Sequence, residues 1–462
     1  SVAAFHASFL KHDDPPKGVE ITITARKYDF HVLNSGIAPA WLAESGKVCM
    51  LAHAMGWGKT HAVRDYIQHG DATRILWITN RISLGRNLMK NLAALGFAFY
   101  KDLEPRELRD RRRIVCQVES LKHLEGIAFD VVVADEIESV FHCFASDVTH
   151  RSDPNTWFTN FEVFQHVLRT APKLFLMDAF LSTRTTEFIA NILPGETQHL
   201  LTDPGDHHSR TIVRYAHKGR WVGDIVNTLV AGEKVFVFYP YKTGGSKDSI
   251  EVFARKIVDR AAARGHVVAG HEVYHGDTDD ETRKALARVN EIWGNLQLVV
   301  VNSSIDVGVD CTIPWDRVFI SYADHVLPRS VVQASHRIRN LRDTNIGFYY
   351  FKTRAVQRRP ERIMSGCGHP VLTPLLKSLK IEIMAKGIES VLKFFDAAGY
   401  TITHDVQETD GDMKPLKRKR DANPWAFESI PEISDMQELD LRRKRNMQDA
   451  TMIEKQMISK HH

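Results

Sequence analysis

The stretch His53-Ala-Met-Gly-Trp-Gly-Lys-Thr60 decides the fold of this chain. It follows the apolar run Val48–Ala52, which predicts a short buried strand, and it precedes His61–Gln68, which can continue as a helix. A strand, a glycine-rich turn ending in Gly-Lys-Thr and then a helix form the context of a phosphate-binding loop. The competing interpretation is a glycine-rich turn between two core elements.

The residues of this loop have roles that follow from nucleotide chemistry. The glycines let backbone N–H groups point at an anion beside the helix N-terminus. Lys59 is expected to reach the β- and γ-phosphates, and the Thr60 hydroxyl is expected to hold Mg²⁺. The predicted cofactors are therefore ATP and Mg²⁺, bound by Gly56, Gly58, Lys59 and Thr60.

Composition limits the kind of protein that this chain can be. Its 462 residues, 43% hydrophobic and 26% charged, predict a globular protein of roughly two to four domains. The net charge of +4 neither demands nor excludes a nucleic-acid partner, so contacts with a polyanion must be local. The 5 cysteines lack a Cys-x-x-Cys pair and suit reduced thiols inside a cell. No apolar run is long enough to predict a membrane span, and a start at Ser1 is expected of a processed product or a fragment.

Strand and helix patterns alternate in two blocks, which predicts two α/β units with parallel sheets. Several strand candidates are apolar without interruption, as expected of parallel strands buried on both faces. In the first block they are Lys47–Ala52, Arg74–Thr79, Arg113–Val118, Val131–Asp135 and Leu174–Asp178. In the second block they are Lys234–Tyr239, His266–Tyr274, Leu296–Val301, Arg317–Tyr322 and Gly347–Phe351. The predicted divisions are a lead-in over 1–40, domains over 41–205 and 206–353, and an extension over 354–462.

The extension differs in character from the two blocks. Leu375–Ala398 is apolar at helical spacing, whereas the residues beyond it are polar and charged. We predict a mostly helical and partly mobile extension. The basic run Lys417–Arg420 predicts a nuclear address or a nucleic-acid-binding tail, with a merely soluble tail as the alternative.

An acidic pair ends the strand predicted at Val131–Asp135. A phosphate-loop enzyme needs one carboxylate at a strand tip for the Mg²⁺ shell and a second one to orient and deprotonate the attacking water. Asp135 and Glu136 fit these two roles. Such a pair alone is often only the start of a loop, but its place downstream of Lys59 with a strand between them favours the catalytic interpretation.

A basic motif lies in the second block, after a turn bounded by Pro328. It contains Gln333, Arg337 and Arg339. An arginine from a separate domain can stabilise the charge that develops on a γ-phosphate, which couples hydrolysis to domain closure. The alternative is an ordinary solvated basic helix face. The phosphate loop in the first block favours the catalytic interpretation.

These motifs follow the order of a superfamily 2 helicase core, with two RecA-like domains. Its nucleotide motifs match Gly56-x-Gly-Lys-Thr60, Asp135-Glu-x-Glu138 and Gln333-x-x-His-Arg-x-Arg339. Other blocks resemble the viral replication-origin-binding helicase group, which carries Arg-x-Ser-Leu, Asp-Glu-x-Glu-Ser and an Asp-Ala pair. They are found at Arg81–Leu84, Asp135–Ser139 and Met177–Ser182. The resemblance covers about residues 45–353 and departs from the family pattern at His53, Trp57 and His336.

The resemblance implies further sites. Contacts to a nucleic-acid backbone are expected from Asn80, Arg81, Ser120, Tyr239 and Ser303. Contacts near the γ-phosphate and ribose are expected from Gly308 and Asp310, and the ATP cleft would be lined from the opposite side by Gln333, Arg337 and Arg339. Enzymes of this kind grip phosphates rather than base edges.

The activity implied is that of an ATP- and Mg²⁺-dependent helicase or translocase on a single strand of DNA or RNA, in viral genome replication. Replication proteins are expected to bind the C-terminal extension, and the location is expected to be intracellular, at a nuclear or viral replication site. One alternative is a phosphate-loop kinase acting on a small acceptor. The other is a helicase-derived scaffold, or a structural or assembly protein of a virus, with weak or no unwinding.

Overall fold

The computed structural model describes residues 18–23, 40–53, 55–146, 154–202, 210–241, 249–276, 278, 282, 286–303, 311–352, 368–384 and 387–404. Within these ranges the chain forms two parallel sheets flanked by helices. The predicted fold class, two tandem RecA-like domains with a mostly helical extension, is confirmed. Among the described helices, none has the length and apolar character that crossing a membrane requires. The basic run Lys417–Arg420 lies outside the described residues.

The first domain is built on an 8-stranded sheet. Its strands are β1 (Val19–Ile23), β2 (Val48–Leu51), β3 (Ile75–Thr79), β4 (Ala98–Phe99), β5 (Arg113–Gln117), β6 (Val131–Asp135), β7 (Lys173–Met177) and β8 (Gln198–Thr202). All pairs are parallel, in the spatial order β1-β8-β2-β7-β6-β3-β5-β4. The helices are α1 (Ala40–Glu44), α2 (Lys59–His69), α3 (Ile82–Leu92), α4 (Pro105–Asp110), α5 (Ile137–Phe144), α6 (Pro154–Thr170) and α7 (Thr183–Ile192).

The second domain is built on a 7-stranded sheet. Its strands are β9 (Thr211–Tyr215), β10 (Val235–Phe238), β11 (His271–Tyr274), β12 (Leu298–Val301), β13 (Arg317–Ala323), β14 (Asn345–Phe351) and β15 (Thr401–His404). They are parallel, in the order β11-β12-β10-β13-β14-β9-β15. The helices are α8 (Lys218–Val230), α9 (Ile250–Ala262), α10 (Val289–Gly294) and α11 (Pro328–Ser335), and the extension contributes α12 (Leu372–Met384) and α13 (Ile388–Ala397).

Continuous apolar runs become the central strands because helices cover both faces of a parallel sheet. Every residue of β2, β3 and β6 is buried, and so is every residue of β10 and β12. The carboxyl ends of parallel strands open at one edge of the sheet, where ligands bind in such folds. At this edge β2 leads into the phosphate loop and β6 ends in Asp135.

The structure extends both domains beyond the predicted divisions. β1 lies in the predicted lead-in and pairs with β8, Val19 opposite Gln198. β15 lies in the predicted extension and pairs with β9, Thr401 opposite Thr211. Both are edge strands that mix polar and apolar residues, so neither has the continuous apolar run that marks a central strand.

The two helices of the extension pack on different domains. Leu372, Leu375 and Leu379 of α12 belong to the hydrophobic core of the first domain. Phe394 and Phe395 of α13 belong to a core of the second domain. The extension therefore connects the two cores and is not an appendage of either domain alone.

Close packing between β13 and β14 generates a testable prediction. A Cβ on Gly347 would lie 2.8 Å from Cε1 of Phe319, and closer still to its Cδ1. Because a buried ring between sheet and helices has little room to move, we expect Gly347→Ala to lower the free energy of unfolding by about 1–3 kcal/mol. Denaturant unfolding followed by far-UV circular dichroism measures the effect.

The matched control is Gly368→Ala, since a Cβ on Gly368 meets nothing within 4 Å. Equal midpoints for the two variants would contradict the packing argument.

Candidate functional site

The phosphate loop wraps the N-terminus of α2 as its sequence predicts. Gly56 and Gly58 have backbone φ angles of 77° and 101°, in the left-handed region that favours glycine. Gly58 is the cap residue of the helix that begins at Lys59. The Lys59 ammonium donates a hydrogen bond to the carbonyl oxygen of His53 at 2.7 Å, so the lysine side chain folds back over the loop that precedes it. Thr60 follows in the first turn of the helix.

The two unusual residues of the loop pack against each other. The rings of His53 and Trp57 stack with centroids 3.6 Å apart and an interplanar angle of 25°. Both side chains are buried, at 0% and 3% exposure. The large side chains of His53 and Trp57, which depart from the family pattern, therefore pack inside the loop and support it.

The acidic pair lies at the end of β6, beside the loop. Asp135 accepts a hydrogen bond from the Trp77 indole at 3.4 Å. Burial raises the pKa of Asp135 to about 6, and the positive charge of Lys59 counteracts this rise. Burial also raises the pKa of Glu136, with a further contribution from the charge of Asp135. A site that raises the pKa of both carboxyl groups disfavours two bare negative charges and is suited to a cation.

Glu136 has a strained backbone. With φ 55° and ψ 55° it caps α5 in the left-handed conformation, and among the described residues it is the one non-glycine residue with positive φ. Such a conformation costs of order 1 kcal/mol or more in an L-residue and is found most often at functional sites. In this conformation the carboxyl group faces the second domain.

The second domain reaches the same point from the opposite side. Gln333 Nε2 donates to Glu136 Oε2 at 2.8 Å. A Cβ on Gly56 would lie 3.1 Å from Nη1 of Arg339, so the guanidinium lies directly against the loop. The charge of Arg337 counteracts the raised pKa of Glu136. Gln333, Arg337 and Arg339 therefore face the phosphate loop across the domain boundary.

The arginine segment is held by backbone bonds. The Cys311 amide donates to the Arg337 carbonyl at 2.9 Å, and the Arg339 amide donates to the Cys311 carbonyl at 2.8 Å. Arg210 donates to the carbonyls of Ser335 at 2.5 Å and Ile338 at 2.6 Å, which satisfies orphan acceptors after the end of α11. The two arginine side chains thus project from a fixed backbone.

A second polar centre lies behind the acidic pair. Its members are shielded from solvent and form the buried charge cluster: Glu138, Asp178, Arg184, Arg329 and Glu382. Arg184 donates to Glu138 Oε2 from Nε at 2.9 Å and to Glu382 Oε2 from Nη2 at 2.7 Å. Arg329 donates from Nη1 to Asp178 Oδ1 at 2.8 Å. The cluster joins the first domain, the second domain and the extension.

The guanidinium groups keep two of the three carboxyl groups of this cluster ionised. Burial opposes ionisation of Glu138, but the charges of Arg184 and Arg329 outweigh it and lower its pKa. The pKa of Glu382 also lies well below its usual range, because His142, Arg329 and Arg184 together outweigh burial. Burial raises the pKa of Asp178 to about 7, against the charge of Arg329.

Glu138 and Asp178 lie within the sequence motifs, whereas the sequence alone did not identify Arg184, Arg329 and Glu382. The signal was a charged residue inside an apolar helical pattern, such as Glu382 among the leucines of α12. A charge that must be buried requires a partner, but the sequence does not show which partner.

The residues predicted to contact nucleic acid differ in their burial and in their contacts. Arg81 Nη1 donates to the carbonyl oxygen of Ser303 at 2.8 Å, so these two residues touch across the domain boundary. Asn80 is buried, and Ser120 is half-buried. Tyr239 is 1% exposed and stacks on Phe253 with centroids 3.9 Å apart. Buried in this way, the Tyr239 ring has no free face for a nucleotide.

Two predicted residues, Gly308 and Asp310, lie outside the described residues. Within the described part of the chain, no group of three or more His, Cys, Asp or Glu side chains is placed to hold a metal ion by itself. Magnesium does not need such a group, since one or two carboxylates, substrate phosphates and water complete its shell. The arrangement of Thr60, Asp135 and the glycine-lined loop fits a magnesium nucleotide.

Comparisons with known proteins find similarity to helicases and to origin-binding proteins. A family model described as Origin of replication binding protein matches residues 37–206. Helicase R8 of Acanthamoeba polyphaga mimivirus, named as an uncharacterised candidate, is 25% identical over 341 residues, which are 69% of this chain and 31% of that protein. The core of this chain is similar to that of superfamily 2 helicases. It is also similar to the viral origin-binding group.

Other relatives agree with this assignment. A candidate replication origin-binding protein of the same virus is 24% identical over 329 residues, 67% of this chain and 39% of that protein. The chain thus spans less than half the length of these two relatives. The structure of Saccharomyces cerevisiae Dbp5 bound to RNA and ADP BeF3 has a TM-score of 0.50 at 12% identity, and covers 79% of this chain and 87% of that chain. This likeness shows that the helicase core has the same fold.

The strain at Glu136 generates a testable prediction. We expect Glu136→Gly to unfold at a higher temperature than Glu136→Ala. Glycine relieves the left-handed conformation, whereas alanine keeps it, and the difference corresponds to about 1 kcal/mol. Scanning calorimetry of the two variants measures it.

Both variants lack the carboxylate and the hydrogen bond that it accepts from Gln333, so these losses are the same in each and cancel. A lower unfolding temperature for Glu136→Gly would show that the backbone at this position is not strained.

Proposed function

We propose that this helicase core is an ATP-driven motor that moves along a nucleic-acid strand during replication of a viral genome. The observation that carries the proposal is the meeting of both domains over the phosphate loop. Gln333 bonds Glu136, and Arg339 lies against Gly56. A nucleotide between them would touch both domains at once, so its binding and hydrolysis would control domain closure.

Each residue at the site has a defined task in this proposal. Lys59 and the loop amides hold the phosphates, and Glu136 orients the attacking water and accepts its proton. Thr60 and Asp135 hold Mg²⁺, which neutralises charge that develops on the phosphates. The raised pKa of Glu136 brings this carboxyl group closer to the pKa range in which a general base works well.

The second domain supplies positive charge when the cleft closes. Arg337 and Arg339 would stabilise the γ-phosphoryl group in the transition state, as arginines from a second domain do in other phosphate-loop enzymes. Gln333 would position the same water as Glu136, because the two side chains already share a hydrogen bond. Closure would therefore assemble the catalytic set.

The nucleic-acid strand is proposed to cross both domains near Arg81 and Ser303. These residues meet at 2.8 Å, so a change in domain spacing would alter the distance between the two grips on a backbone. Repeated closure would then move the strand. The name of one viral relative, a candidate replication origin-binding protein, supports replication as the setting. We further propose that replication proteins bind the extension, at a nuclear or viral replication site.

The test of this proposal is ATP hydrolysis with and without single-stranded DNA, single-stranded RNA and duplexes. We expect a single strand to stimulate hydrolysis. Lys59→Ala is expected to lower kcat by about 10²–10³-fold, because it removes charge stabilisation at the phosphates. Glu136→Gln is expected to retain ATP binding and to lose about 10²–10⁴-fold in kcat, because it removes the base. Lys393→Ala, at an exposed lysine on α13 outside the motifs, is the control.

The alternatives predict other results. A scaffold or assembly protein would bind ATP without strand-stimulated hydrolysis, and its biological activity would survive Lys59→Ala. A small-molecule kinase would transfer phosphate to an acceptor and ignore the strand. Either outcome would overturn the proposal of a motor.

A further inference from the structure

Glu382 connects parts of the chain that are far apart in sequence. It lies on α12 of the extension and is 0% exposed. Its carboxylate is 2.7 Å from Arg184 Nη2, 3.5 Å from Arg329 Nε and 3.1 Å from His142 Nε2. A carboxylate this enclosed cannot touch nucleotide or nucleic acid, so any role in the reaction is exerted through its partners.

The partners of Glu382 come from both domains. Arg184 is in the first turn of α7, and it also bonds Glu138 of the Asp-Glu-x-Glu box. Arg329 is in the first turn of α11, in the second domain. The extension thus supplies the negative charge that lies between an arginine of one domain and an arginine of the other.

Charge balance explains why this carboxylate matters. Arg329 is 2% exposed and has Asp178, Glu138 and Glu382 around it at 2.8, 3.9 and 3.5 Å. Arg184 bonds both Glu138 and Glu382, so without the charge of Glu382 it would lose one of its two carboxylate partners. The two buried guanidinium groups would then share only Glu138 and Asp178. Buried charges that lack compensation are strongly destabilising, and the group that can leave for solvent does so.

Displacement of Arg329 would act directly on the catalytic residues. α11 runs from Pro328 to Ser335, so Arg329 and Gln333 lie one turn apart on the same face of this helix. Its last turns carry Gln333, and the segment after it carries Arg337 and Arg339. The Arg329 side chain also lies over the rings of Phe180 and Phe394, at 5.6 and 5.7 Å, which fixes the start of the helix at the domain boundary.

We propose that Glu382 is a positioning residue for ATP hydrolysis. It holds Arg329 on Asp178 and thereby sets Gln333, Arg337 and Arg339 against the phosphate loop. The helix α12 of the extension is then required for efficient ATP hydrolysis. This inference rests on the proposed function for its effect on kcat, but its structural part stands independently of ATP hydrolysis.

The first test is the kinetics of Glu382→Gln, which keeps the volume and removes the charge. We expect kcat for strand-stimulated hydrolysis to fall about 10- to 100-fold, as misplaced catalytic groups do. We expect ATP affinity, measured by equilibrium binding, to change less than about twofold, because Lys59 and the loop are untouched. Glu389→Gln, at an exposed carboxylate on the neighbouring helix α13, should match the wild type.

A purely structural role would give a different pattern. It would lower the unfolding temperature and the folded fraction, and it would leave kcat per folded molecule unchanged. Folded Glu382→Gln with wild-type kcat overturns the proposal. If Glu382→Gln does not fold, Glu382→Asp replaces it: this variant keeps the charge and retracts it by one methylene. It should lower kcat in the same direction and by less, and wild-type kcat would again overturn the proposal.

The second test needs no ATP. Amide hydrogen exchange of the full chain is compared between the wild type and Glu382→Gln, or Glu382→Asp where that variant replaces it. We expect faster exchange in residues 328–335 and unchanged exchange in residues 59–69. If the variant and the wild type exchange at equal rates in residues 328–335 as well as in residues 59–69, the proposal is overturned. If the wild type shows no ATP hydrolysis but exchange changes as expected, the motor proposal fails and the positioning of α11 by Glu382 survives.

Discussion

The parallel sheet imposes a constraint on which the rest of this structure depends. All strands of one sheet point the same way, so the segments that follow them collect at one edge. In the first domain this edge gathers the phosphate loop after β2, the acidic pair after β6 and Asp178 after β7. The second domain turns Gln333 and the arginine segment toward that edge. The chemistry is therefore concentrated along a single line between the two domains.

Specific polar contacts cross that line among the described residues. The hydrogen bond from Gln333 to Glu136 and the ion pair between Arg329 and Asp178 both join the domains. Buried ion pairs contribute little net stability compared with apolar packing, but one that loses a partner is costly. Such contacts therefore specify one relative arrangement of the domains but add little to its net stability.

The central strands were predictable because their burial on both faces leaves a continuous apolar run. Val131–Asp135 was predicted with its observed bounds, and Ile75–Thr79 within one residue. The edge strands β1 and β15 were missed, because an edge strand has solvent on one side and its sequence mixes polar and apolar residues.

Part of the candidate site was equally visible, and part was not. Gly-x-Gly-Lys-Thr and Asp-Glu are local patterns in which neighbouring residues share one task, so the sequence identified them. The pairing of Glu382 with Arg184 and Arg329 joins three distant segments, and no local pattern records it. The burial of Tyr239 was also hidden, since an aromatic residue at the end of a strand is compatible with either core or surface.

Phe180 has a consequence for how the two domains would separate. It follows β7 of the first domain, yet it is 2% exposed within a core of the second domain, with its ring 5.2 Å from that of Phe394. Separating the domains would bring this ring into water, at a cost of about 1.5–3 kcal/mol. That penalty favours the joined state by roughly 10- to 150-fold. The two domains would thus be together in most molecules at rest, and any step that separates them would have to expose this aromatic ring to water.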